Sequence, residues 1–396
     1  MANDKQNTNP NVPNLRFLEF SGEWQQLALE DVAVFSNGKA HENEVSENGK
    51  YILVNSKFIS TEGKIKKYSS TVLSPLYKDM IVMVMSDLPN GKALSKCFYI
   101  DRNDLYTLNQ RICSLQPKAG VFSRFLFYQL NRNRYFLKFD DGINQTNLKK
   151  SEVLKCPIYI PQYSEQLKIG KLVSLLDERI NTQNKIIEDL KKLKVAICNK
   201  LIDNLVNHEP LIRFTEVYSK AGEGGTPETS KSEYYENGNI PFIKIDDLSN
   251  KYIISNKDFI TDLGLQKSSA WIIPTHSLIY SNGATIGAIS INTYEVCTKQ
   301  GILGIVPKTS ISVEYLYCLM SSNYFSKQVH RIITHGTMAT AYLKDINKIK
   351  VPIPCMQKQL EIANTISSVT NKIGTELNIL SLLLKQKQYL LQQMFI

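Results

Sequence analysis

The sequence lacks any apolar run long enough to cross a membrane. Its longest apolar runs, such as residues 81–85, fall far short of the roughly 20 residues of a membrane-spanning helix. The polar opening, residues 1–14, also lacks the apolar core of a signal peptide. These absences predict a cytoplasmic protein that does not bind membranes and whose first 14 residues are disordered.

Patterns that hold metals or disulfides are also missing. The seven cysteines lie far apart without a C-x-x-C pair, and the five histidines form no H-E-x-x-H. Scattered cysteines in a chain without an export signal are expected to be reduced thiols. We therefore expect neither a disulfide framework nor a metal site.

Catalytic signatures are absent too. The sequence has no [D/N]-P-P-[Y/F] tetrapeptide of an adenine methyltransferase and no G-x-x-x-x-G-K-[S/T] nucleotide loop. The nearest approach to that loop, residues 90–93, lacks both its first glycine and its final hydroxyl. We therefore predict a protein that is not an enzyme, with no catalytic residue and no cofactor of its own.

What the chain does have is positive charge. Lysine and arginine number 47 against 37 acidic residues, for a net charge of +10. Such an excess favours a polyanionic partner, and without membrane features nucleic acid is the first candidate. Many soluble proteins are basic for no specific reason, so charge alone leaves the question open.

The chain also contains an internal duplication. Three segments recur in the same order, 47–53 as 236–242, 108–112 as 298–302 and 148–157 as 343–352. In each half, about 140 residues rich in short β-like runs precede about 40 residues with helical periodicity. The pattern predicts an α+β fold with two β-rich mixed domains, each followed by a long helix. We expect a disordered segment 1–14, domains 15–160 and 207–353, and helices 161–206 and 354–396.

The helical segments carry a heptad seam. Apolar residues alternate in steps of four and three, and the seam is broken by Gln183 and Lys194 in the first helix and by Glu376 and Lys387 in the second. This pattern is typical of a coiled coil. Antiparallel pairing with pseudo-twofold symmetry would bring Lys194 to Glu376 and Gln183 to Lys387. The alternative is that each helix packs only on its own domain.

The length of these helices has a mechanical implication. A helix of about 40 residues is roughly 60 Å long, whereas one turn of B-DNA is about 34–36 Å. Two such helices side by side would separate the β-rich domains enough to place them on two half-sites of double-stranded DNA.

Several motifs resemble one known family. Segments 14–24, 86–93 (SDLPNGKA) and 106–112 (YTLNQRI) resemble type I restriction–modification specificity subunits, as do 224–248 and 335–354 in the second half. The resemblance implies two target recognition domains, each reading half of an asymmetric bipartite DNA sequence, with the gap set by antiparallel spacer helices. It further implies docking of two methyltransferase subunits, which carry S-adenosylmethionine, and of motor and nuclease subunits, which use ATP and Mg²⁺.

Candidate DNA contacts are polar side chains at matching points of the two halves, since Arg, Lys, Asn and Gln match the edges of bases. They are Lys92, Asn109, Gln110, Arg111, Asn144, Gln145 and Thr146 in the first half, and Lys231, Asn282, Lys299, Gln300, Thr337 and Thr340 in the second. Alternatively, Gln110 and Gln300 tie loops to the backbone, Thr146 and Thr340 cap the elements that follow them, and the lysines are merely solvated. A coiled-coil scaffold with two homologous binding domains is the competing function.

Overall fold

The computed structural model describes residues 11–41, 43–283, 285–334 and 339–396. The chain divides into two compact units. The first unit runs to Asn184 and includes Ile379–Ile396, and the second unit is Lys185–Asn378. Most of the segment expected to be disordered, residues 1–10, lies outside the described residues; in the remainder, the Asn11 carbonyl accepts the Trp24 amide at 2.9 Å.

The strands that the structure describes in the first unit are short and form four sheets. They are β1 (Gln25–Ala28), β2 (Ala33–Asn37), β3 (Tyr51–Val54), β4 (Tyr68–Ser69), β5 (Ile81–Val84), β6 (Ser86–Asp87), β7 (Cys97–Tyr99), β8 (Tyr106–Leu108), β9 (Ile112–Pro117), β10 (Thr146–Asn147) and β11 (Pro157–Ile160). The four-stranded sheet has the order β2-β9-β5-β7, and the three-stranded sheet the order β4-β3-β8. Strands β1 and β11 pair with each other, as do β6 and β10.

Among the described residues, five short helices accompany these strands, and a long one follows them. They are α1 (Leu29–Val32), α2 (Ser56–Ser60), α3 (Ser123–Leu130), α4 (Arg134–Leu137), α5 (Lys150–Leu154) and α6 (Tyr163–His208).

The second unit repeats the plan. Its strands are β12 (Leu211–Arg213), β13 (Tyr218–Glu223), β14 (Ile240–Ile243), β15 (Tyr252–Ile253), β16 (Asp258–Ile260), β17 (Leu278–Ser281), β18 (Ile289–Asn292), β19 (Cys297–Thr298), β20 (Ile302–Pro307) and β21 (Lys350–Pro352). Its helices are α7 (Asp262–Gln266), α8 (Val313–Met320), α9 (Asn323–Ile332), α10 (Leu343–Ile346) and α11 (Met356–Met394), and 3₁₀ turns occupy Phe214–Glu216, Ser232–Tyr234 and Ile245–Asp247.

The sheet orders of the two units correspond strand by strand. The order β13-β20-β17-β18-β15 repeats β2-β9-β5-β7 with one added edge strand, and β16-β14-β19 repeats β4-β3-β8. In each three-stranded sheet, one pairing is antiparallel and the other, β3 with β8 or β14 with β19, is parallel. The duplication predicted from the sequence is therefore confirmed at the level of topology.

The central strand β5 is apolar throughout because both of its faces are covered. Strand β5 is buried at every position, with Ile81 and Met83 in one hydrophobic cluster and Val82 and Val84 in another. Successive side chains of a strand point to opposite faces. A continuous apolar run, and not an alternating one, is what a strand between two cores requires.

A buried glutamine at the start of each long helix closes its domain. Gln166 accepts the Phe122 amide at 2.9 Å and donates to the Gly120 and Pro161 carbonyls at 3.1 and 2.9 Å. Gln359 repeats these bonds to the backbone of Ser312, Ser310 and Pro354, at 2.8, 3.2 and 2.9 Å. Both side chains are 1% exposed, and each satisfies backbone groups that burial would otherwise leave unpaired.

Segments of the two long helices pack together inside the first unit. Ile169 shares a cluster with Met394, and Leu176 and Ile180 share one with Leu383. Later residues of α6 thus meet earlier residues of α11, so these segments run antiparallel. In the second unit, Ile202 of α6 belongs to the same core as residues near the start of α11.

The predicted fold class is confirmed, with two β-rich mixed domains each followed by a long helix. No helix within the described ranges is both long and apolar enough to span a bilayer.

Candidate nucleic-acid interface

The turn between β8 and β9 presents the first group of predicted residues. Asn109 is half-buried and its amide donates to the Val54 carbonyl at 3.1 Å, while Gln110 and Arg111 are exposed. Arg111 has a φ of 67°, which is unfavourable for a residue with a Cβ. Its carbonyl accepts the Met85 amide at 3.1 Å. The turn is therefore held by its backbone, and its polar side chains point away from the core.

Lys92 lies on a loop organised around one carboxylate. Asp87 accepts the amides of Ala93 and Leu94 at 2.6 and 3.0 Å. A Cβ on Gly91 would come within 2.1 Å of that carboxylate, so glycine is required for this close approach. The loop exposes Lys92 to solvent.

A second loop, residues 141–145, lies against the first. The Asn90 side chain donates to the Gly142 carbonyl at 3.1 Å, and the Gln145 side-chain amide donates to Ser86 Oγ at 2.8 Å. Asn144 is exposed, whereas Thr146 is 8% exposed and pairs with Asp87 in the β6–β10 ladder.

Asp141 fixes this second loop. Its carboxylate accepts the amides of Asn144 and Ile143 at 2.8 and 2.9 Å. These bonds, that from Asn144 first, lower the pKa of Asp141 to about 2. Together with β6, the two loops and the β8–β9 turn form one surface. Met85 joins them, because its amide donates to the Arg111 carbonyl in the turn and its carbonyl accepts the Leu148 amide just beyond β10.

The turn between β19 and β20 is the counterpart in the second unit. Lys299 and Gln300 are exposed, and Gly301 has a φ of 86°. The Gln300 amide donates to Thr226 Oγ1 at 3.2 Å, and the Gly301 amide donates to the Glu223 carboxylate at 2.8 Å. As in the first unit, the backbone is fixed and the polar side chains are left outside.

Asn282 occupies the place that Met85 holds in the first unit. Its amide donates to the Gly301 carbonyl at 3.0 Å, and its carbonyl accepts the Ala341 amide at 2.8 Å. Its side chain is 1% exposed and donates to the Ala341 carbonyl at 3.3 Å. Thr340 is half-buried and bridges to Gly283.

Two further residues, Thr337 and Lys231, were predicted to contact DNA. Thr337 lies outside the described residues. Lys231 is exposed, forms an ion pair with Glu228 at 3.4 Å and lies 5.4 Å from the centre of the Tyr234 ring. A hydrogen bond to the Tyr234 hydroxyl, and then the charge of Glu228, raise the pKa of Lys231.

The residues predicted to pair the helices lie on the packed faces or at their edges. Gln183 and Glu376 are each 7% exposed, and Lys194 and Lys387 are half-buried. Lys387 forms an ion pair with Asp177 at 2.5 Å, and Glu376 forms one with Lys372 at 2.6 Å.

Sequence reasoning missed the two carboxylates that shape the first surface. Asp87 precedes a Pro-Asn-Gly turn and Asp141 precedes a glycine, which are local signals for loop-organising aspartates. Within the four described ranges, no group of three or more His, Cys, Asp or Glu side chains is placed to hold a metal ion.

The fold is that of a duplicated protein, in which two related α+β domains present different polar turns on one backbone plan. A family model described as the type I restriction modification DNA specificity domain matches residues 21–192 and again 212–384. The chain therefore belongs to the family of type I restriction–modification specificity subunits, as its motifs predicted.

Individual relatives are distant. The chain is 23% identical over 390 residues to the MjaVIII specificity subunit of Methanocaldococcus jannaschii, covering 92% of this chain and 90% of that protein. It is 29% identical over 173 residues to the EcoR124I/EcoR124II specificity subunit of Escherichia coli, covering 42% and 43%.

Solved structures share the fold across nearly the whole chain. The S subunit of M. genitalium superposes with a TM-score of 0.59 at 19% identity, over 97% of this chain and 99% of that one. A chain from a structure on complex assembly and conformational transition of the type I R-M system gives 0.60 at 17% identity, over 94% and 97%.

Proposed function

We propose that this chain is the DNA-recognition subunit of a type I restriction–modification complex and that it reads an asymmetric target made of two specific halves. Residues 15–160 and 207–353 are the target recognition domains. The spacer helices, 161–206 and 354–396, set the length of the unread gap.

The observation that carries this proposal is that one backbone plan presents two different sets of side chains. The β8–β9 turn exposes Gln110 and Arg111, and the corresponding β19–β20 turn exposes Lys299 and Gln300. Base edges in the major groove are read by hydrogen bonds from side chains of these types. Two different turns on related domains suit an asymmetric target, whereas a scaffold would not need them to differ.

We assign direct base contact to the exposed members of the predicted set and a positioning role to the buried ones. Asn144 and Gln145 join the exposed turns as base-contact candidates, and Lys92 and Lys231 are candidates for phosphate contact. Asn282 and Thr146 are buried and so act through the backbone that they hold. Thr340 remains a candidate beside the second turn, and Thr337 remains a candidate outside the described residues.

The chain contributes specificity and its partners contribute chemistry. Two methyltransferase subunits dock on the spacer helices and supply S-adenosylmethionine, and motor and nuclease subunits use ATP and Mg²⁺. The chain itself carries no catalytic residue and acts in the cytoplasm. The predicted pair Lys194–Glu376 contributes to the register of the helices, as does the ion pair of Lys387 with Asp177 at 2.5 Å.

Genome-wide mapping of N6-methyladenine tests the proposal, in a host with an active methyltransferase partner and with or without this chain. We expect methylation at one split motif, with two specific halves around a fixed gap, to disappear when the chain is removed. An unchanged methylation map with an active partner would contradict the proposal and favour a scaffold.

A further inference from the structure

Helix α9 of the second unit has an exposed basic face with no counterpart of equal length in the first unit. It follows α8 as α4 follows α3, but α9 has ten residues and α4 has four. Both helices begin at a polar N-cap and bury a phenylalanine near their start, Phe136 in α4 and Phe325 in α9. The additional turns of α9 contain Lys327, His330 and Arg331.

Helical spacing separates these residues from the core. Phe325 and Val329 are 0% and 1% exposed and face the hydrophobic cluster. Lys327 and Arg331 are four positions apart and therefore lie along one side of the helix, where both are exposed. With Asn323, Ser326 and His330 they line a shallow depression of about 470 Å³.

The positive charge of this face is not neutralised locally. From residue 315 to residue 344 the sequence contains no Asp or Glu. In the described part of the chain, neither Lys327 nor Arg331 forms an ion pair. The corresponding stretch of the first unit differs, because Asp140 and Asp141 follow α4. Two cations without an ion-pair partner among the described residues are suited to bind an anion.

The position of the face identifies the anion. Arg331 precedes Thr334 by three residues, and Thr334 pairs with Thr340 through two backbone hydrogen bonds of 3.0 and 3.2 Å. Three residues span about 10 Å at most. Thr340 bridges in turn to Gly283 beside the β19–β20 turn. The basic face is therefore the immediate neighbour of the candidate base-contact surface.

We propose that the α9 face of Lys327, His330 and Arg331 binds the phosphate backbone of DNA beside the half-site recognised by the second domain. This inference rests on the proposed function and adds to it a sequence-independent contact made by the second domain. His330 is held by its Nδ1, which donates to the Ser326 carbonyl at 2.8 Å, so Nε2 is the ring atom available to a ligand.

The test measures DNA affinity across a salt series for the full-length chain assembled with its methyltransferase partner. The duplexes carry the split motif found by methylation mapping or a scrambled version of it. Each phosphate neutralised contributes about 0.9 to the slope of log affinity against log salt. We expect Lys327→Ala and Arg331→Ala each to lower the slope by about 0.9, and the double variant by about 1.8.

Lys308→Ala is the matched control. Lys308 is exposed and directly follows β20, whose six residues separate it from the β19–β20 turn by about 20 Å. We expect this variant to keep the wild-type slope. Lys327→Arg should keep it as well, because the charge is retained. The ratio of affinities for the split and scrambled duplexes should be unchanged in all of these variants.

Three results would overturn the inference. One is a double variant whose slope equals that of Lys308→Ala. Another is a change in the methylated motif, which would mean that the face reads bases. The third is loss of methylation with an unchanged slope, which would mean that the face binds an acidic segment of a partner protein. A wild-type complex without a split motif would instead contradict the proposed function itself.

Discussion

Arg111 and Gly301 hold the same left-handed backbone at corresponding turns, with φ angles of 67° and 86°. Each carbonyl accepts the amide of the residue that follows a central strand, Met85 in the first unit and Asn282 in the second. The two turns therefore share a backbone and differ in side chains, and substitutions at these positions can separate stability from DNA binding.

We expect Gly301→Ala to destabilise the protein by about 1–2 kcal/mol, because a Cβ is unfavourable at positive φ. Arg111→Gly should not lower the free energy of unfolding, since it relieves the same strain, but it should weaken DNA binding. Urea unfolding and DNA titration of both variants check this. Equal stability of Gly301→Ala and the wild type would contradict the steric argument.

Substitution of one exposed glutamine should relax only half of the target. Gln300→Ala is expected to reduce discrimination at a base pair in one half-site by about 1–3 kcal/mol, with the other half unchanged. Methylation mapping reports the motif directly, and Gln110→Ala serves as the matched change in the other domain. Intact discrimination in both variants would assign the two glutamines to loop structure.

Exchange of a whole recognition domain should act in the same modular way. Replacing residues 207–353 with the recognition domain of another specificity subunit should change one half of the methylated motif and leave the other half and the gap as they were. A motif altered in both halves would refute separate recognition by the two domains.

The buried glutamines give a prediction about stability. Gln166→Leu or Gln359→Leu leaves buried backbone groups without partners, and each unsatisfied group costs about 1–3 kcal/mol. We expect a loss of at least about 2 kcal/mol in either variant by urea unfolding. Gln162→Leu is the control, because Gln162 is exposed. A loss no larger than that of the control would show that these bonds contribute little.

The proposed pairing of the helices is tested by charge exchange. Lys194→Glu and Glu376→Lys should each lower the thermal midpoint, and the double variant should recover much of the loss. Glu376 also pairs with Lys372 at 2.6 Å, so the single and double variants should also be measured in a Lys372→Ala background. A double variant no more stable than the sum of the single losses would exclude the Lys194–Glu376 pair.

The fold was largely predictable because its signals are long and occur twice. A heptad seam over about 40 residues can be recognised without knowledge of tertiary structure, and α6 and α11 follow from it. The short strands were less predictable. Strand β6 has two residues, and its pairing with β10 joins Asp87 to Thr146, a long-range contact that no local pattern reveals.

The candidate site was predicted by residue type but not by exposure. Asn282 lies in a loop-like SNGATIG segment and has the chemistry of a base contact, yet it is 1% exposed. The corresponding Met85 is 9% exposed, which shows that the fold buries this position whichever residue occupies it. The basic face of α9 was missed because its cations are separated in sequence and converge only on the helix surface.

The first unit includes residues 379–396, and this has a consequence for biosynthesis. Trp24, Phe125, Ile169 and Met394 form one hydrophobic cluster, and the Leu15 amide donates to the Gln393 carbonyl at 2.8 Å. During translation, the aromatic side chains of this cluster lack their contact with Met394 until the whole second unit has been synthesised. The domain synthesised first is thus completed last, and until then its uncovered apolar surface is a target for chaperones.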